Sequence, residues 1–494
     1  MRKAVISVII SLFMLHVGAE RWDVRDYVTL PDPLTQSGNT CWAHASAHSV
    51  MANWAYLSWL ADESYDEYAP DSVLSAEHIV NHRGYKTTVA NGGSVDYAIA
   101  YYASGQGPKV VNAVDDTVDA KYFVGSVNKL PYSNSNLAVS IPLLKAALKT
   151  YGAVSITLNS AELQSPYYDM ANHSAYMSVA NGASLSANHA GVIVGYDDEF
   201  NDFDNLSEKP SSPGAWIVED SYGTARHNNG FYYLSYYSGT LSEPVAYMSR
   251  IDRSEADTIM AKDRLGACGQ APLSNDSVTL FSYYSNPRGV VVKAVGVYTP
   301  QINTKVEIGV VKGSNPGNTV WTPLSECDTV LGNPGYHVVP ISPVEISAGD
   351  SIGLVVQYLT VDKSNLTLAL EATNSTGTAV ITNVGDQYMF FNKAWYTAKT
   401  ALPTANFIMK LYCKNIDGVS AVDEQTTSTA NLQAWSVSGD GVLVKTNGKA
   451  DVAVYDASGR FVAAAEVDGE TIVNVPSHGV YVIVSGAESV KVCK

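Results

Sequence analysis

Cysteine is scarce in this chain, with five in 494 residues, at Cys41, Cys268, Cys327, Cys413 and Cys493. An odd number spread over such distances is not a disulfide framework, although one or two bridges among the last four stay open. Positive charge is also in short supply. Lys and Arg total 31 against 48 Asp and Glu, a net charge of −17 with no basic stripe to offset it, which excludes nucleic acid as a partner class. Charged residues make up only 16% while tyrosine reaches 31, a balance that suits an extracellular surface. Beyond the first nineteen residues no stretch approaches the roughly 18 consecutive apolar residues that a membrane span needs. Repeats of 20–50 residues are missing as well.

The exceptional apolar run is at the start. Arg2 and Lys3 precede "AVISVIISLFMLHVGA", which ends in small residues before Glu20. A positive start, a short apolar core and a small-residue exit describe a cleavable secretory signal over residues 1–19, with cleavage expected after Ala19. The expected product is exported and soluble. The lack of cysteine at the cleavage point argues against a lipid anchor there, and the short interval between Ala19 and Trp22 leaves no room for an inhibitory propeptide.

The remainder divides by pattern. Residues 20–260 alternate helix-like stretches such as "HASAHSVMANWAYLSWLA" with strand-like ones such as "HAGVIVGYDD" and "GAWIVEDSYG". Residues 261–414 change to short apolar or alternating runs separated by Gly, Asn, Pro and Ser, the pattern of an all-β sandwich. A polar segment over 415–431 reads as a linker, and 432–494 returns to strands, with "DASGR" placed as a hairpin turn. The expectation is a multidomain chain: an α+β unit, an all-β sandwich and a small all-β C-terminal unit.

Cys41 is the one cysteine of the first 267 residues and opens an alanine-rich helical run. Asn39 and Thr40 are both suitable helix caps, and a thiol at a helix N-terminus faces the positive end of the macrodipole, which favours thiolate. The alternative is an inert core cysteine. A thiolate nucleophile needs a base. His44 and His48 share a helical face with Cys41, but no further ligand cluster accompanies them, so they read as partly buried helix residues rather than metal ligands, and no cofactor is called for. His189 opens a strand-like run that would hold its imidazole rigidly. Thirty-one residues later the run "GAWIVEDSYG" ends in Glu219, Asp220 and Ser221, where a carboxylate could orient that imidazole.

The segments "QSGNTCWAHA", "NHAGVIVGY" and "WIVEDSYG", in that order, together with "LSAEHIV", "NGGS" and the lead-in "WDVRDYVTLPDPLTQ", resemble the papain family of cysteine peptidases. The 148 residues from Cys41 to His189 suit that family's spacing. The resemblance implies a papain-like two-lobed catalytic domain. In it Cys41 is the nucleophile, His189 the base and then acid, and Asp220 stands in the place of the family's orienting asparagine. Gln36 would donate its side-chain amide to the oxyanion beside the Cys41 N–H. Gly92 and Gly93 would pair with the substrate backbone, and the area around Asn188 would border a substrate pocket. Four departures accompany the match. Aspartate replaces asparagine, Gln36 precedes Cys41 by five residues instead of six, the half-cystine before the nucleophile is missing, and Tyr222 replaces a tryptophan while "ARHNN" interrupts the second Trp–Gly. Asn39 could share or replace the oxyanion role of the shortened loop.

Residues 261–414 resemble the lectin-like β-sandwich of exported bacterial papain-like peptidases, with Trp321, Tyr388 and Trp395 as candidates for lining a glycan or peptide groove or, alternatively, for core and hairpin packing. The tail, with "VYDASGR" and "GVYVIVSG", is similar to sorting domains read by the type IX secretion machinery of Gram-negative bacteria. These resemblances imply protein or peptide substrates, a glycan or cell-surface ligand on the sandwich, the secretion machinery as a partner of the C-terminal unit, and a secreted or cell-surface address. The function expected is an exported cysteine endopeptidase. The alternatives weighed are a catalytically impaired papain-fold adhesin or glycan binder, and a transglutaminase-type acyl transferase, whose Cys-to-His spacing is much shorter.

Overall fold

The computed structural model describes residues 19–62, 73–111, 118–286, 288–314, 316, 323–381, 384–391, 393–416, 432–436, 441–456, 461–475, 480–485 and 488–493. The expected export signal up to residue 18, residues 417–431 of the expected linker, Trp321 and residues 457–460 of the "DASGR" turn lie outside them. Two compact units divide the chain at residues 419 and 420.

In the first unit the helix Cys41–Ala61 is buried along most of its length. Its small residues let neighbours approach on every side, so it serves two apolar clusters at once. Ala45, Ala52 and Tyr56 pack with Val154, Ile156, Val192 and Trp216, whereas Trp42, Ala47, Val50 and Met51 pack with Ile79, Val95, Ile99 and Tyr101. Cys41 belongs to the first cluster and Trp42 to the second, so the thiol lies where the two meet.

The first cluster is backed by an antiparallel sheet whose successive neighbours are Val127–Lys129, Ser242–Tyr247, Val154–Leu158, His189–Asp197, Ala215–Glu219 and Phe231–Ser235. Continuous burial along His189–Tyr196 and Ala215–Glu219 explains why these strands read as unbroken apolar runs. The sheet does not stop there. Gly335 and Tyr336 of the strand Gly335–Ile346 pair with Asn128 and Val127, which carries the same sheet into the β-sandwich through Val290–Thr299, Met409–Asn415 and Thr258–Ala261. Gly335 has φ +139°, and a Cβ there would lie 2.1 Å from the Val127 carbonyl oxygen, so this junction requires glycine.

The opposing sheet of the sandwich orders Ser325–Leu331, Thr304–Lys312, Ile352–Thr360, Ser277–Tyr284, Gln387–Phe391 and Ala394–Thr397. Strict alternation in "TKVEIGVVK" turns Val306, Ile308 and Val310 inward against Val290, Val292, Val295 and Leu354. Cys268, Cys327 and Cys413 are free thiols, so no bridge joins them, and the side chain of Cys493 lies outside the described residues. Lys410 and Asp263 form a fully buried ion pair at 2.6 Å.

The second unit contains one five-stranded antiparallel sheet. Gly441–Asp456 and Phe461–Asn474 form its long hairpin, with Leu432–Ser436, Val480–Ser485 and Glu488–Cys493 completing it around Val442, Val444, Val454 and Ile483. Among the described residues no helix is long and apolar enough to cross a membrane.

Candidate active site

Cys41 is the first residue of its helix and is 9% exposed. The expected side-chain cap is not formed. Thr40 holds the N-cap position, but its hydroxyl donates to the Ser37 carbonyl at 3.1 Å, and Asn39 Nδ2 donates to the Ala90 carbonyl at 2.8 Å. Both groups are drawn to loop carbonyls. The first N–H groups of the helix, that of Cys41 included, are therefore left without a capping side chain at the positive end of the dipole.

His189 is the first residue of its strand, opposite Leu158, and Asp220 lies one residue beyond the end of Ala215–Glu219. Adjacent strands thus bring the two side chains together across 31 residues of sequence. His189 Nε2 donates to Asp220 Oδ1 at 2.7 Å, the Ser221 N–H reaches the same oxygen at 2.8 Å, and Cys41 lies close enough to the imidazole to act on its charge. Burial alone would depress the imidazole. The Asp220 and Cys41 hydrogen bonds and charges outweigh it and raise His189 to about 9. For Asp220, burial works towards protonation, but hydrogen bonds from His189 and His227 hold the carboxyl well below its ordinary range. Tyr222 stacks on His189 at 5.3 Å with its ring nearly parallel, and Arg226 lies 4.4 Å over the Tyr222 ring. A tyrosine and a guanidinium together cover the imidazole where the papain pattern has tryptophan.

Sequence reading passed over His227. Its Nε2 lies 2.7 Å from Asp220 Oδ2, and its Nδ1 lies 2.5 Å from the Tyr168 hydroxyl. The available signal was its position inside "ARHNN", the segment that departs from the family pattern.

The other expected site residues lie as follows. Gln36 sits beside the Asp220 loop, its Oε1 accepting from the Ser221 hydroxyl at 2.5 Å and one Nε2–H donating to Gly38 at 2.6 Å. Gly92 has φ +71°, and Gly93 lies against the Trp42 indole, where a Cβ would come within 2.4 Å. Together with the Asn39–Ala90 bond this puts the Gly92–Gly93 loop next to the helix start. Asn188 precedes His189, and its exposed side chain accepts from the Ser160 N–H at 2.8 Å. His48 pairs with buried Glu219, and burial pushes His44 down to about 4, so both serve the interior behind the site. Among the described residues no group of three or more His, Cys, Asp or Glu side chains is arranged to hold a metal.

Tyr388 and Trp395 lie on the paired strands Gln387–Phe391 and Ala394–Thr397, where Phe281 contacts both rings and Trp395 meets Phe390 at 5.3 Å, as in hairpin packing.

Comparison with known proteins supports this architecture. The family model for a lectin-like domain matches residues 259–413. Among solved structures the chain is similar to the clostridial cysteine protease Cwp84 after propeptide cleavage, at 23% identity and TM-score 0.64, covering 80% of this chain and 99% of that one. It is equally similar to the cysteine protease and lectin-like domains of Cwp84, a surface layer associated protein of Clostridium difficile, at 22% identity and TM-score 0.64, covering 80% and 88% of the two chains. No curated protein sequence matches the chain. At these identities the likeness is one of fold: the chain is multidomain, with a papain-like domain joined to a β-rich lectin-like domain.

Proposed function

We propose that this chain is an exported cysteine endopeptidase that hydrolyses peptide bonds through Cys41, His189 and Asp220. The observation that carries the reading is a thiol at a helix N-terminus, interacting with an imidazole whose Nε2 donates to a buried carboxylate at 2.7 Å. In the two-lobed α+β arrangement proposed for residues 20–260, the thiol sits where the two apolar clusters served by its helix meet.

Cys41 Sγ, as thiolate beside the His189 imidazolium, attacks the scissile carbonyl carbon. The carbonyl oxygen becomes an oxyanion, stabilised by the Cys41 N–H and by the second Nε2–H of Gln36, whose amide is oriented by Ser221 and Gly38. His189 then gives its proton to the leaving amine, and a thioester acyl-enzyme forms. Water, deprotonated by the now neutral His189, attacks the thioester, and collapse of the second tetrahedral species releases the acid and restores the ion pair. Asp220 keeps the imidazole in the orientation that presents its other nitrogen to sulfur and stabilises its charged form. The substrate backbone adds as a strand on Gly92–Gly93, and Asn188 borders the groove next to His189.

The signal-like first nineteen residues support export. The small β unit with its "VYDASGR" motif supports type IX sorting to the outer surface of a Gram-negative cell, and the lectin-like domain supports a glycan or cell-surface ligand. The test is hydrolysis of a denatured protein by the full chain under reducing conditions, beside Cys41→Ala. Loss of cleavage by at least about a thousandfold in the variant is expected for removal of a nucleophile. Equal cleavage by both chains, or none by a folded wild type, would refute the reading.

A further inference from the structure

The departures from the papain pattern around Asp220 are not independent of one another. An asparagine in this place presents one acceptor to the imidazole, whereas an aspartate presents two acceptor oxygens and a negative charge. In a buried site the second oxygen needs a donor. Asp220 Oδ2 has one: His227 Nε2 at 2.7 Å, with the side chains of both residues at most 1% exposed. A carboxylate oxygen can only accept, so His227 Nε2 carries the proton. On its far side His227 Nδ1 lies 2.5 Å from the Tyr168 hydroxyl, and that hydroxyl lies 3.3 Å from His173 Nδ1.

The loop is folded to achieve this. The Asp220 N–H donates to Gly230 O and the Gly230 N–H to Arg226 O, which turns residues 220–230 back on themselves. His227 has φ +57°, a left-handed conformation unfavourable for a bulky side chain. It stands where the second Trp–Gly of the papain pattern is interrupted. That left-handed conformation seats the His227 ring on the Asp220 carboxylate.

We propose that His227 is a positioning residue of the catalytic centre, supplying the second hydrogen bond that fixes the Asp220 carboxylate against His189, with the Tyr168 hydroxyl holding the far side of its ring. The inference rests on the peptidase reading for its kinetic consequence, though not for its electrostatic one. Asp220 is faced by His189 and His227 and by Tyr168, Tyr222 and Tyr232, with Arg226 of its own loop over the Tyr222 ring and Cys41 beyond His189. Of the groups around it, only His189 and His227 donate side-chain hydrogen bonds to its oxygens. Withdrawing one donor makes the carboxylate more basic. It then holds the His189 proton more tightly, so the loss of that proton moves to higher pH.

The experiment uses the full chain and His227→Gly, which suits the backbone while removing the ring. Cys41 alkylation by iodoacetamide is followed against pH, with peptide mapping by mass spectrometry to separate Cys41 from the other thiols. Peptide hydrolysis is measured in parallel, alone and in the Asp220→Asn background. We expect the basic inflection of the Cys41 profile, where His189 gives up its proton, to rise by about half a unit or more. We also expect kcat to fall about tenfold with KM nearly unchanged and partial recovery on adding free imidazole. In Asp220→Asn chains the further loss from His227→Gly should be less than about twofold, because the carboxylate it serves is gone. An unmoved alkylation profile, or a His227→Gly loss that is the same in both backgrounds, overturns the proposal and leaves His227 a structural residue. If the wild type cleaves no peptide but the profile still shifts, the peptidase reading fails while the role of His227 on the Asp220–His189 pair stands.

Discussion

Asp220→Asn converts the orienting group to the one more usual in the papain pattern, and the structure dictates how this exchange acts. His189 is raised from an ordinary 6.5 to about 9, with Asp220 the first favourable contributor and Cys41 the second. An amide keeps an acceptor for His189 Nε2–H but carries no charge. If the whole elevation were lost, the protonated fraction at about pH 8 would fall from about nine-tenths to about three-hundredths, roughly a thirtyfold loss of the competent ion pair. At about pH 6 the same change costs less than about twofold. Thirtyfold is an upper limit, since the Cys41 thiolate stays beside the imidazole. The amide NH2 also faces His227 Nε2–H, donor against donor, so the His227 ring has to switch tautomer. That switch adds a loss of its own to the effect of the missing charge. The assay is kcat/KM of the full chain from about pH 5 to 10, wild type against Asp220→Asn. The basic limb should move down by a unit or more, with the deficit growing from about pH 6 to pH 8. A deficit equal at all pH values, or a basic limb that stays in place, would refute the claim that the Asp220 charge sustains the His189 proton.

Two further outcomes follow from buried charge. Lys410→Met should destabilise the first unit by about 3–5 kcal/mol, because Asp263 is left as an uncompensated buried carboxylate, and adding Asp263→Leu should restore most of the loss. Urea unfolding of the single and double variants measures this, and a double variant as unstable as the single one contradicts it. Glu162 is fully buried, accepts from Met177 N–H and the Ser238 hydroxyl, and is pushed up by burial to about 7. A raised carboxyl contributes stability below its unfolded value of 4.5 that is lost as pH rises through about 7, a difference of about 3 kcal/mol at most. Glu162→Gln should therefore gain on the wild type as pH rises from about 4.5 to 8, read as the difference in melting temperature, and a constant difference would contradict the assignment.

Much of this was carried by local pattern. The run of small and apolar residues after Cys41 reads as a buried helix, the unbroken apolar stretches after His189 and before Asp220 read as interior strands, and the alternation in "TKVEIGVVK" reads as a sandwich strand. In each case a short window of side chains decides which faces can be buried. The order Cys41, His189, Asp220 was legible for the same reason, since each lies at the end of such an element.

Tertiary structure alone decided the rest. Thr258–Ala261 pairs with Met409–Asn415, and Gly335–Tyr336 pairs with Val127–Asn128, so one sheet runs from the papain-like part into the lectin-like part. Strands separated by such lengths of chain choose partners by packing and register, which no local window contains. Asn39 and Thr40 have capping side chains by type, yet nearby carbonyls drew them away from the helix N-terminus. His227 was unreadable for a related reason. Its place on Asp220 depends on a loop that folds back through backbone hydrogen bonds, and on a left-handed residue that only the completed site can hold in place.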